Sequence, residues 1–278
     1  MKSLHLGAIL LAGLALLSGG CRRAPESAAN TYTVAVTNSY LQCALEEFVP
    51  AVEVYQMSGP GQCPGHFDLQ PSQIDTLRRC PLLLRFDFQA GLDEKLGGSA
   101  DAKPYIVGVT VNGGMCVPES YLDVCRQVSE ALIAAGLLDA ADAQARLAAI
   151  ERRLAQTAAE IDKALSRHDP IDRPVLCSRH QEAFCRRLAL RVVGTFTSSD
   201  ATSPVEIDRA IRNAQTEQVK IIIANEPEGR RLADRLADRL GAKVIVFANF
   251  PTPACQTAPF DDMLRENVRR LLSVENQP

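Results

Sequence analysis

Apolar and polar positions along the chain switch repeatedly between two periods. Short apolar runs at Thr31 to Thr37, Val52 to Gln56, Pro81 to Phe86 (PLLLRF) and Tyr105 to Val111 (YIVGVTV) are bounded by Gly, Pro, Asn and Ser, which predicts strands. Between them lie segments with helical spacing: Tyr40 to Phe48, Ser72 to Cys80, Gln89 to Leu96 and Pro118 to Ala135. Ser72 offers a capping hydroxyl, Pro118 suits a first turn, and Gly136 suits a stop. Strands alternating with helices predict an α/β lobe around a mostly parallel sheet over residues 31–138.

From Asp139 to His168 only the longer period remains. Leu147, Ile150, Leu154, Ala158, Ile161 and Leu165 form one apolar stripe in an Ala-, Leu- and charge-rich segment. Asp139 or Asp142 can cap it, and Asp169-Pro170 ends it. At 1.5 Å per residue the helix would be roughly 40 Å long, enough to span two small lobes. A coiled-coil arm is the alternative, but so short a stripe fits packing within one chain, and a monomer is expected. Beyond it the alternation resumes over residues 169–278. Strands are expected at Pro174 to Cys177, Arg191 to Phe196, Lys220 to Ala224 and Lys243 to Phe247; helices at His180 to Leu190, Pro204 to Glu217, Gly229 to Leu240 and Phe260 to Ser273. The fold class is therefore α/β, with two lobes, each a mostly parallel sheet with flanking helices, joined by one long helix.

The first residues carry a different signal. Lys2, an apolar run from Leu6 to Leu17 and Ser18-Gly19-Gly20-Cys21 read as a lipoprotein export signal over residues 1–20, with Cys21 as the lipidation site and residues 21–30 as a tether. That address is the bacterial cell envelope, anchored to the lipid bilayer and facing the periplasm or exterior. Among the 278 residues, 30 basic and 33 acidic side chains nearly balance, so nothing favours nucleic acid as a partner. Eight cysteines remain besides Cys21, and outside the cytosol an even number points to disulfides. No Cys-x-x-Cys pair suggests a redox motif or compact zinc ribbon.

Candidate chemistry concentrates at two places. Gly61 to Ser72 offers Cys63, His66 and Asp68 just before a helix start, and Cys177-Ser-Arg-His180-Gln-Glu-Ala-Phe-Cys185 offers His180 in the other lobe. Both lie in strand-to-helix loops, where ligands of parallel sheets gather. His168 falls at the spine's C-terminus, where the helix dipole favours a cation, and is read as structural. A zinc-dependent hydrolase is a further alternative, disfavoured because there is no His-Glu-x-x-His segment, Gly-x-Ser-x-Gly elbow or phosphate-cradling glycine loop.

Taken together, the export signal, the two lobes, the connecting helix, Pro64-Gly-His66-Phe-Asp, Pro71-Ser72, Ser178-Arg-His180 through Phe184, Asn225-Glu226-Pro227 and the closing Phe260 to Val268 segment resemble the zinc and manganese solute-binding proteins of ABC importers. The resemblance implies a receptor, not an enzyme, that captures a divalent transition metal between its lobes and passes it to an ABC permease. It carries His66 and His180 over as ligands, with Cys63, Asp68, Cys116, Glu119, Glu226 and Cys255 as further candidates. The family's second first-lobe histidine falls at Gly113 here, and its C-terminal carboxylate is unmatched between Asn249 and Cys255. Nitrogen and sulfur donors favour zinc, or reduced copper, over manganese. If the thiols are oxidised, histidines and carboxylates alone remain. Neutral imidazole ligands imply that capture weakens as histidines protonate, below roughly pH 6.5. A receptor for a metal chelate or corrinoid on the same architecture is the alternative, disfavoured by an aromatic content of 5% with no tryptophan.

Overall fold

A computed structural model describes residues 33–58, 69–97, 104–168, 172–197, 203–252 and 258–275. In the first lobe the strands are β1 (Val34–Val36), β2 (Val54–Gln56), β3 (Leu82–Phe86) and β4 (Tyr105–Val109), and the helices are α1 (Ser39–Glu46), α2 (Pro71–Arg79), α3 (Gly91–Leu96) and α4 (Pro118–Ala134). The strands form one wholly parallel sheet in the order β2-β1-β3-β4. Every residue of β3 is buried, which is why its sequence reads as a continuous apolar run rather than an alternation. Ser72 is not the cap of α2. Gln70 holds that position, and Gln73 Oε1 accepts its backbone N–H at 2.9 Å; Pro71 starts the helix two residues earlier than a Ser72 cap would.

The spine is α5 (Ala140–Leu165), 26 residues, with Asp139 accepting the Ala141 N–H at 2.8 Å. Its buried residues include Ile150, Leu154, Ile161 and Leu165 from the expected stripe. Thr157 is buried as well, its hydroxyl donating to Asp261 at 2.7 Å, so the stripe is polar at one point where it meets the last helix.

The second lobe repeats the first in connectivity. Its strands are β5 (Pro174–Ser178), β6 (Arg191–Phe196), β7 (Ile221–Asn225) and β8 (Lys243–Phe247), parallel in the order β6-β5-β7-β8. Its helices are α6 (Glu182–Arg187), α7 (Pro204–Thr216), α8 (Arg231–Leu240) and α9 (Pro259–Glu275). Expected helix starts at Gln89 and His180 are instead single 3-10 turns, Asp87–Gln89 and Arg179–Gln181, preceding shorter helices. In both lobes the chain reverses its winding direction between the first strand and its two neighbours, which leaves a crevice at the carboxyl ends of β1 and β3 and of β5 and β7.

One apolar core runs from β1 and β3 through α4 and α5 to β5, β7 and α9, so the lobes share an interior. At its centre Phe260 of α9 stacks on Tyr121 of α4, ring centroids 3.8 Å apart and planes 4° from parallel, and meets Tyr40 of α1 edge-on at 5.9 Å. Beside these rings Arg153 of α5 donates to Glu47 at 2.9 Å and to Asp261 at 3.1 Å, tying first lobe, spine and last helix together.

Candidate metal centre

Ser178 ends β5, and its hydroxyl accepts the N–H of His180 at 3.2 Å, capping the 3-10 turn that carries the histidine. The neighbouring strand β7, paired to β5 through Cys177 and Ile223, ends in a second 3-10 turn, Glu226–Glu228, closed by Gly229 at φ 71°. A carboxylate 48 positions further along the chain thereby reaches the histidine: His180 Nε2 lies 3.7 Å from Glu228 Oε1. Ser178 Oγ donates to the other carboxylate oxygen, Glu228 Oε2. His180 is 57% exposed and Glu228 only 12%.

Beneath this pair a buried amide row stitches three strand ends together. Gln181 Nε2 donates to Asn225 Oδ1 and to Asn249 Oδ1, both at 3.0 Å. Asn249 Oδ1 also accepts from Cys116 Sγ at 3.2 Å, as does the Ala248 carbonyl. The first-lobe loop before α4 is thus fastened to the end of β8.

His180, Arg179, Arg186 and Asn249 from the second lobe face Phe88 and Met115 from the first across a cleft of about 430 Å³. The lobes also approach closely at Gly114, whose φ of 102° and separation from Ala183 leave no room for a side chain: a Cβ there would sit 2.9 Å from that of Ala183. Gly113, where the family's histidine falls, has φ 86°. A histidine there would need a left-handed backbone and a Cβ 3.0 Å from Ser120 Oγ.

The sequence-derived candidates separate on this framework. Among the described candidates only His180 lines the cleft. Cys116 is 1% exposed, and burial pushes its thiol up to about 12, well away from the thiolate a metal needs. Glu119 is exposed on the first turn of α4, and its charge acts on Arg187. Glu226 lines a different cleft with Phe250, Asp262 and Glu266. Cys21, Cys63, His66, Asp68 and Cys255 lie outside the described residues. Among the described residues no group of three or more His, Cys, Asp or Glu side chains is arranged to hold a metal. Glu228 was not singled out from sequence; the available signal was that Asn225-Glu-Pro-Glu228 follows the strand beside the one bearing His180.

The expected disulfides do not appear among the described residues. Cys43, Cys80, Cys116, Cys125, Cys177 and Cys185 are all buried free thiols. They behave as small core residues, and the neighbouring Cys177 thiol together with burial pushes the Cys185 thiol well up.

The family model described as zinc-uptake complex component A, periplasmic, matches residues 116–274, more than half of the chain. The chain belongs to this family. The match takes in α4, the spine and nearly all of the second lobe, including His180 and Glu228, and begins well after His66 in sequence. Solved structures agree in fold. A Mn-bound periplasmic metal-binding protein from Candidatus Liberibacter asiaticus is 13% identical, covering 88% of this chain and 99% of its own, with a TM-score of 0.73. Its Cd-bound form is 12% identical over 88% and 99%, TM-score 0.72. A structure titled ZnuA is 15% identical over 89% and 100%, TM-score 0.71. A sequence search of curated proteins finds no match. That family is one of periplasmic metal-binding receptors and is not an enzyme class. No helix among the described residues is long and apolar enough to cross a membrane.

Proposed function

We propose that the protein is an envelope receptor, lipid-anchored through Cys21, that captures one divalent transition metal between its lobes and presents it to the permease of an ABC importer. Zinc is the favoured cargo, with manganese and reduced copper behind it. His66 and His180 are the principal ligands, and Cys63, three residues before His66 in sequence, is a better third donor than the buried Cys116 or the outward-facing Glu119. The observation that carries the reading is His180, an imidazole with no hydrogen bond to either nitrogen among the described residues, standing at the carboxyl ends of β5 and β7 on the interlobe cleft. The manganese and cadmium named for the structural relatives support a transition-metal cargo. The shared core and the Arg153 tie support small, local closure rather than a wide hinge motion.

The test is zinc content and affinity of the purified protein beside His66→Ala and His180→Ala, under oxidising and reducing conditions. One tight equivalent, lost in both variants, is expected; dependence on reduction adds cysteine to the ligand set. Absence of specific metal in either state would end the receptor reading. An anionic metal chelate is the second reading, favoured by Arg179 on a cleft of about 430 Å³, larger than a bare ion requires, in which Arg186 is already paired with Glu182. Tighter binding of zinc in the presence of citrate than of zinc alone would select it.

A further inference from the structure

We infer that Glu228 is itself a metal ligand, forming with His180 a histidine–carboxylate pair supplied by the second lobe alone. This rests on the receptor reading above and adds to it the identity of a donor that neither the resemblance nor the family match names. The chain lacks the second first-lobe histidine, and Gly113 in its place has a backbone that resists one. A carboxylate from the opposite lobe compensates for that loss.

The geometry separates a ligand from a mere neighbour. At 3.7 Å, His180 Nε2 and Glu228 Oε1 are too far apart for an N–H···O hydrogen bond. They suit two donors sharing one ion: at zinc–donor distances of about 2.0–2.2 Å they subtend roughly 115–135° at the metal, somewhat wider than the ideal tetrahedral angle. Among the described residues Oε1 accepts no hydrogen bond, while Oε2 is held by Ser178. A ligating carboxylate is ordinarily fixed in this way, one oxygen to the ion and the other to a protein donor. Ser178 has a further tie, because the same hydroxyl caps the turn bearing His180. One fully buried side chain therefore positions both donors. Gly229 at φ 71° lets the chain turn away immediately after Glu228.

The test uses the full protein with Zn²⁺ in a chelator competition and with Co²⁺ as a spectroscopic probe, comparing wild type with His180→Ala, Glu228→Gln and Glu228→Asp. Glu228→Gln preserves shape and can still accept from Ser178, so the fold should survive; Glu228→Asp keeps the charge but shortens the reach. If Glu228 is a ligand, Glu228→Gln lowers zinc affinity at least tenfold and changes the position and intensity of the Co²⁺ d–d bands, and Glu228→Asp changes them too. Weakened zinc binding with an unchanged Co²⁺ spectrum would make Glu228 a positioning residue and overturn the inference. So would wild-type behaviour of both Glu228 variants while His180→Ala loses metal, which leaves the receptor reading standing. Failure of wild-type protein to bind either metal stoichiometrically would remove both together.

Discussion

Replacing Phe260 with alanine removes the ring through which the second lobe grips the first. Phe260 is fully buried, lies flat on Tyr121 at 3.8 Å and meets Tyr40 edge-on at 5.9 Å. Truncating a buried phenylalanine to alanine costs about 3–5 kcal/mol, and loss of the aromatic contacts adds about 0.5–1.5 kcal/mol. For a protein of this size each kcal/mol moves the melting temperature by roughly 2–4 °C, so a fall of about 7–26 °C is expected. Phe260→Leu retains most of the apolar area and loses the ring stack, so roughly a third of that fall is expected. Circular dichroism at 222 nm follows the secondary structure, and near-ultraviolet dichroism follows the tyrosines on the first-lobe side. If the stack couples the lobes, the two signals coincide in wild type and separate in Phe260→Ala. A variant melting within about 2 °C of wild type, with coincident signals, would refute the argument.

Two other outcomes follow from charge and burial. Glu266 of α9 is bonded by Arg269 and, against the opposing effect of its partial burial, also by Arg270, and its carboxyl is held down at about 2. A depressed carboxylate contributes stability above its unfolded value near 4.3 and loses it as pH falls toward 2. Glu266→Gln should therefore melt slightly below wild type at pH 7, within about 3 °C because the group is solvent-screened, and the gap should close by pH 2; a gap that persists in acid would contradict this. The six described cysteines are buried, and burial raises the thiols of Cys43, Cys80, Cys116 and Cys125. They should resist a thiol reagent at pH 8 in the native protein and react fully in denaturant, whereas rapid native labelling of any of them, located by mass spectrometry, would contradict their placement.

The two readings of the chain diverge most at its loops. Residues Leu82 to Phe86 and Ile221 to Asn225 are recognisable as buried parallel strands because both faces of each strand are covered, so apolar residues run without interruption. The spine is recognisable for the complementary reason, a stripe repeating every three to four residues between an acidic cap and a proline. His180 stood out as one of few histidines, at a strand end. Its partner did not, because Glu226 and Glu228 are indistinguishable by local pattern, and only the 3-10 turn after β7 decides which one faces β5. Cys116 illustrates the opposite error. Residue type made it a plausible ligand, but it lies buried against Asn249, where desolvation favours the neutral thiol.

What the sequence determined by itself was the α/β class, the two-lobe arrangement around a long helix and the lobe-end position of His180, since all three follow from periodicities and punctuation encoded within a few turns of chain. The tertiary structure decided which strand lies beside which, and therefore that Glu228 and not Glu226 or Glu119 meets the histidine, that Tyr121 and Phe260 stack across the lobes, and that the described cysteines fill the core. Those outcomes depend on contacts between residues dozens of positions apart, fixed by strand order and by the packing of one shared interior, and no local pattern of residues specifies either.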